Sequence, residues 1–99
     1  MDEKRAIALL RQGSHEAFSS IYATYWSKVY NFSRLYTVST DDAKEAVQSV
    51  FVKLWEKREL LDEEKSLEGL LFIMTRNFIF DQKTPERRVI QRLRATGVQ

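Results

Sequence analysis

Few side chains in this chain are of the type and spacing that catalysis needs. His15 is the single histidine and cysteine is absent, so neither a thiolate nor an imidazole metal site can be assembled from the usual ligands, and one imidazole without a partner makes a poor base. Glu45 with Asp41 or Asp42 is the best candidate for a carboxylate pair, yet helix capping and a solvent-facing position account for all three. The chain has no glycine-rich phosphate loop, no nucleophile with a base close by in sequence and no metal-ligand spacing. His15 therefore reads as a surface residue, no cofactor is implied, and the protein is not expected to be an enzyme. Its chemistry is that of binding.

Two helical faces carry that chemistry. Over residues 43–58, AKEAVQSVFVKLWEKR, a step of about 100° per residue puts Ala43, Val47, Val50, Phe51 and Leu54 on one side of a helix, with Trp55 on its shoulder. That side must be core. The other carries Asp41, Glu45, Gln48, Ser49, Glu56 and Glu59, with Val52 in their midst, and an acidic rim around a small apolar contact suits a basic partner. The second face lies on a helix predicted from Leu67 to about Gln82. Leu67, Leu70, Leu71, Met74 and Phe78 form one side, which includes Asp81 and is flanked by Asn77. The opposite side presents Phe72, Arg76, Ile79 and Lys83, with Gly69, Ile73 and Phe80 beside them. Interleaved aromatic and cationic side chains are what exposed bases and phosphates use, but a second apolar side also arises when a helix is sandwiched, here under the first helix or the C-terminal segment.

The elements that must position these faces follow from caps and periodicity. A first helix, Asp2 to Gln12, has its apolar stripe at Ala6, Leu9 and Leu10 and is ended by Gly13. Ser14 caps a second helix, about His15 to Tyr36, with Phe18, Ile21, Tyr22, Tyr25, Val29, Phe32 and Tyr36 along its core face. This aromatic stripe reads as packing rather than base stacking, and Trp26 and Tyr30 on its shoulder face another helix. Ser39 or Thr40 caps the third helix, which begins near Asp41. Residues 59–66 lose the apolar pattern and read as a loop, after which Ser66 caps the fourth helix. Thr84 and Pro85 then start a short basic helix through about Arg94. The expected fold is all-α: a compact bundle of three main helices plus short N-terminal and C-terminal helices. It divides into a helical domain at 1–83 and a basic helix or linker at 84–99.

Composition bounds the reading. With 99 residues, 43% hydrophobic and 30% charged, the chain suits one soluble domain. It has no apolar run near the roughly 18 residues of a membrane span and no signal peptide pattern at its start, so it is expected in the cytoplasm. The net charge of +2 is uneven: residues 1–65 hold ten Lys/Arg and eleven Asp/Glu, residues 66–99 six and three. The basic end could meet phosphate or could be a solvated helix face.

Three segments in order resemble a known family. Residues 43–55, AKEAVQSVFVKLW, and 67–81, LEGLLFIMTRNFIFD, look like region two of the bacterial extracytoplasmic-function (ECF) sigma factors, whose segments typically run Ala-Glu-Asp-Leu-Val-Gln-Glu-Val-Phe-x-x-x-Trp and Phe-x-x-Trp-Leu-x-x-Ile-Ala-Arg-Asn-x-x-x-Asp. Upstream, residues 17–26, AFSSIYATYW, resemble the family's Ala-Phe-x-x-Leu-Tyr-x-x-Tyr opening. The resemblance covers about residues 5–83 and implies a transcription initiation factor domain that binds core RNA polymerase and recognises and melts the minus-ten promoter element.

The implied partners are the clamp helices of the largest polymerase subunit, promoter DNA and an anti-sigma factor. Polymerase contacts would fall on Glu45, Gln48, Ser49, Val52 and Glu56. DNA contacts would fall on the loop, with Lys57, Arg58, Lys65 and Ser66, and on the fourth helix, where Phe72 stacks and Arg76 and Lys83 meet phosphate. Asn77 and Asp81 would brace the helix. Ser49 stands where the family has an acidic residue, and Leu70 replaces a common aromatic, which leaves packing but not stacking for that position. The resemblance also implies a fragment or a short form, the fragment being the expectation, because no region four helix-turn-helix follows Gln99. The alternative of a different class is a helical protein-interaction module, an adaptor or inhibitory partner, that binds no DNA.

Overall fold

The computed structural model describes residues 2–81, and within them every regular element is helical: α1 (Glu3–Arg11), α2 (His15–Arg34), α3 (Thr40–Glu56) and α4 (Leu67–Asp81), with a 3-10 turn at Arg58–Leu60. The expected all-α bundle is what forms. The basic helix predicted after Thr84 and Pro85, the boundary at residue 83 and Lys83 itself lie outside the described residues.

Local chemistry sets the helix ends. The Asp2 carboxylate accepts from the backbone N–H of Lys4 at 2.9 Å and starts α1. At the other end the N–H of Ser14 donates to the Leu9 carbonyl and that of Gly13 to the Leu10 carbonyl, a Schellman pairing that needs the left-handed φ of 93° at Gly13. Ser14 then caps α2 by accepting from the Ala17 N–H at 3.0 Å, so the turn between the two helices is as short as the sequence indicates. Of the two candidates for the third cap, Ser39 takes the role, accepting from the Asp42 N–H at 3.0 Å. α2 ends at Arg34, two residues before the expected Tyr36.

α2 is the hub, touching α1, α3 and α4, and α3 packs on both α2 and α4. The core is built from Ile7 and Leu10 of α1, Ile21 and Val29 of α2, Val47, Val50, Phe51 and Leu54 of α3, and Leu67 and Leu71 of α4. Aromatic rings fill the periphery: Phe51 meets Phe18 edge-on at 6.3 Å and Tyr22 at 4.8 Å, and Trp26 stacks on Tyr30 at 5.1 Å.

Two small polar residues are also fully buried, which the apolar pattern did not indicate. Ser33 and Thr75 each donate their hydroxyl to a carbonyl one turn back, Val29 at 2.8 Å and Leu71 at 2.7 Å, so burial leaves no group unpaired. Ala46 is likewise fully buried beside the expected core residues of α3.

α4 is rotated from its expected setting. Its buried stripe is Leu67, Leu71, Thr75 and Ile79, so Ile79, expected on the second face, points inward. A four-residue interval advances about 40° around a helix, and over three intervals the stripe wraps across both apolar sides. Sandwiching therefore explains one edge of the second face.

Candidate nucleic-acid interface

The outer side of α3 is the simplest surface. Glu45, Gln48, Val52 and Glu56 are all exposed, and Val52 keeps 55% of its surface in contact with solvent. Ser49 is separated from them: it is half-buried and lines a cleft of about 330 Å³ between α3 and α4 with Met74, Asn77 and Phe78. Lys53 stands at the same edge, so the stripe is bounded by a cation rather than acidic throughout.

The segment after α3 opens with a 3-10 turn at Arg58–Leu60, and residues 61–66 form the expected loop. Lys57 ends the helix and is exposed, and the 3-10 turn follows at once. Arg58 does not project as a loop cation. Its guanidinium carbon lies 4.2 Å from the Trp55 ring centre, one terminal nitrogen donates to the Trp55 carbonyl at 2.9 Å, and its buried Nε has no hydrogen-bond partner. His15 stacks on the same indole at 4.7 Å. The expectation of an Arg58 phosphate contact meets a side chain already committed to Trp55, because a cation on an indole face is held by the ring quadrupole.

Beyond the turn, Leu61 folds inward while Leu60 stays 77% exposed. The Asp62 carboxylate accepts from the Glu64 N–H at 2.9 Å and the Asp62 carbonyl accepts from the Lys65 N–H at 3.1 Å, which turns the chain back. Ser66 accepts from the Gly69 N–H at 3.0 Å and starts α4. A pocket of about 360 Å³ opens between this turn and α4. Leu60, Leu67, Leu70 and Ile73 are among its apolar walls, Ile7 of α1 contributes from beneath, and Asp62, Lys65 and Ser66 supply polar groups. That volume is at the low end of the range of about 300–1,000 Å³ for small-molecule pockets, and apolar walls with a few polar groups suit a planar heteroaromatic ring.

Further along α4 from the wall residue Ile73, Arg76, Asn77 and Phe80 are exposed. Asn77, expected near the core as a brace, belongs to this outer surface, and Asp81 is exposed as well. Phe72 is half-buried, with its ring stacked on Phe32 of α2 at 4.5 Å and 9°, so one face is taken by protein. The aromatic nearest to solvent is instead Phe80, 53% exposed and edge-on to Tyr36 at 5.1 Å.

α1 braces this region through contacts that no sequence spacing indicates. One Glu3 carboxylate oxygen accepts from the Tyr25 hydroxyl and the other from the Leu67 N–H at 3.3 Å. Burial, that hydrogen bond and the charges of Glu3 and Glu68 push the Tyr25 phenol up to about 12, so it remains a donor at physiological pH. Lys4 pairs with Glu64 at 3.2 Å, Arg11 approaches Glu63 at 4.0 Å, and Lys28 pairs with Glu68 at 3.0 Å.

Among the described residues no cluster of His, Asp and Glu could hold a metal ion, and no helix is long and apolar enough to cross a membrane. The arrangement offers an exposed stripe with Glu45 and Glu56 on α3, and a pocket of apolar walls and polar side chains with Arg76 exposed further along α4. Comparison with curated proteins and with solved structures gives no significant match. The family model of sigma-70 region 2 matches residues 21–94, the greater part of the chain, and the chain belongs to that family.

Proposed function

We propose that this domain acts as an ECF-type sigma region two: it docks on the clamp helices of core RNA polymerase through Glu45, Gln48, Val52 and Glu56, and it captures a flipped base of the minus-ten element in the pocket between residues 60 and 73. A sigma-70 region 2 domain has its role in transcription initiation, and core polymerase and promoter DNA are the partners of that role. The observation that carries the finer reading is the pocket itself. Its apolar walls and three polar side chains, Asp62, Lys65 and Ser66, follow α3 in the chain, and Arg76 is exposed three residues beyond the wall residue Ile73 on α4.

Of the expected DNA contacts, Lys57, Lys65, Ser66 and Arg76 are exposed, whereas Arg58 is held by Trp55 and Phe72 offers one ring face at most. Phosphate contacts position the strand and the pocket supplies base preference. The test removes two residues from 62–65 and measures single-stranded oligonucleotide binding to the polymerase-bound domain. The preferred sequence is first selected from a randomised pool with the parent protein. Loss of the difference between preferred and scrambled oligonucleotides, with general affinity kept, is the expected outcome; an unchanged difference removes base capture from this pocket.

The adaptor reading, protein binding through α3 without DNA, predicts that the domain adds nothing to promoter retention by core polymerase, so retention measured with and without the domain separates the two.

A further inference from the structure

We infer that Glu3 is a positioning residue for the base pocket, and that α1 sets the sequence discrimination of a site whose other walls, from Leu60 to Ile73, lie more than fifty residues along the chain. The inference rests on the base-capture reading above. The family match begins at residue 21, so α1 stands ahead of the part of the chain that the family model describes.

Ser66, Leu67, Gly69 and Leu70 all line the pocket, so its shape depends on where the first turn of α4 begins. The first backbone N–H groups of a helix have no partner within it. Ser66 satisfies that of Gly69, and Glu3 satisfies that of Leu67 with a charged acceptor placed at the positive end of the helix. The Tyr25 hydroxyl holds the second carboxylate oxygen, which fixes the rotamer that reaches Leu67. Ile7, one turn further along α1 and 1% exposed, contributes to the pocket wall. One helix thus supplies both part of the wall and the clamp on the opposing turn.

Charge points the same way. Residues 57–66 carry three cations and four carboxylates, an unfavourable balance for a segment beside a phosphate chain. Lys4 and Arg11 lie on Glu64 and Glu63 and so offset two of those carboxylates from the α1 side.

The experiment uses the whole chain on core polymerase and reads two affinities, for preferred and scrambled single-stranded oligonucleotides, beside the affinity of the chain for polymerase. Glu3→Ala should lower the ratio of preferred to scrambled by about three- to tenfold, the effect of losing one net hydrogen bond, with polymerase affinity unchanged. Glu3→Gln, which can accept from Leu67 through its carbonyl and donate to Tyr25 through its amide, should restore most of the ratio. If Ala and Gln lower it equally, charge and not positioning is at work and the inference fails. Tyr25→Phe keeps the ring and removes only the hydroxyl, so it decides the matter should Glu3→Ala lose polymerase binding as well; it should lower the ratio by a smaller factor, and an unchanged ratio overturns the inference. The two-residue deletion in 62–65 serves as the control. If the deletion flattens the ratio and the Glu3 and Tyr25 variants do not, only the inference falls; if the deletion also changes nothing, the base-capture reading falls and takes the inference with it.

Discussion

Phe51 is 2% exposed and lies between Phe18 and Tyr22, so its ring joins α3 to α2 through both area and ring geometry. Large-to-small replacement in a packed core loses the transfer energy of the ring and leaves a cavity that neighbours fill only in part. Phe51→Ala should therefore cost about 3–5 kcal/mol, against a total of about 5–15 kcal/mol for a domain of ordinary stability. Chemical denaturation of the variant should show a midpoint shifted to this extent or no folded baseline at all. A loss under about 1 kcal/mol would mean that Phe18 and Tyr22 close over the gap, which their half-buried and exposed positions would have to permit. Arg58 makes the complementary point. Its type and place suggested a phosphate ligand, but the tryptophan three residues earlier gives the guanidinium a ring face and a carbonyl instead. Residue type alone does not distinguish a cation that binds DNA from one that holds the fold.

For α3, an amphipathic pattern with one core side was enough to place every predicted core residue, and the exposed side can be tested as a unit. Val52→Asp adds a charge at the centre of the outer stripe where the free domain has solvent, so folding should be unaffected. At the clamp-helix contact it would desolvate a carboxylate, and a central interface residue is worth about 2 kcal/mol or more, roughly thirtyfold in affinity. Circular dichroism should match the parent while binding to the clamp helices is lost; retained affinity in the folded variant would put the polymerase contact elsewhere. The helices differ in how much of this was legible. α1, α2 and α3 begin at side-chain caps that residue order places, and the core face of α3 follows from its stripe, whereas α1 also buries Ile7, outside its expected stripe, and α2 leaves Tyr22 and Tyr36 exposed and ends at Arg34. α4 is apolar nearly all round, and periodicity cannot orient a helix whose two sides score alike. Its setting depends on Thr75 and on the Phe72 stack with Phe32, contacts made by a small hydroxyl and a distant ring. The Glu3 clamp was illegible for the same reason: its partners lie 22 and 64 residues along the chain.

As a whole the molecule is a poor polyanion ligand. Its net charge is +2, and of the exposed cations Lys57, Lys65 and Arg76 the first two share residues 57–66 with four carboxylates. Steering and counterion release scale with the number of phosphates neutralised, so the isolated chain should bind single-stranded DNA weakly and with a shallow salt dependence. In the proposed complex, polymerase would add contact area and hold the domain at the strand, so the pocket need supply preference rather than total affinity. Three phosphate contacts correspond to a slope of log affinity against log salt of about −2 for single strands, at about 0.7 per contact. Arg76 stands on the solvent side of α4, and the sequence places a phenylalanine four residues on at Phe80, the spacing of one helix face. Arg76→Ala should therefore reduce the slope by about 0.7 and weaken preferred and scrambled oligonucleotides by the same factor, leaving their ratio unchanged. Fluorescence anisotropy of labelled oligonucleotides on the polymerase-bound chain, titrated across salt, measures both quantities together. An unchanged slope would mean that the strand passes α4 without touching its outer face; a slope reduced with the ratio also lost would place Arg76 on a base edge rather than on phosphate.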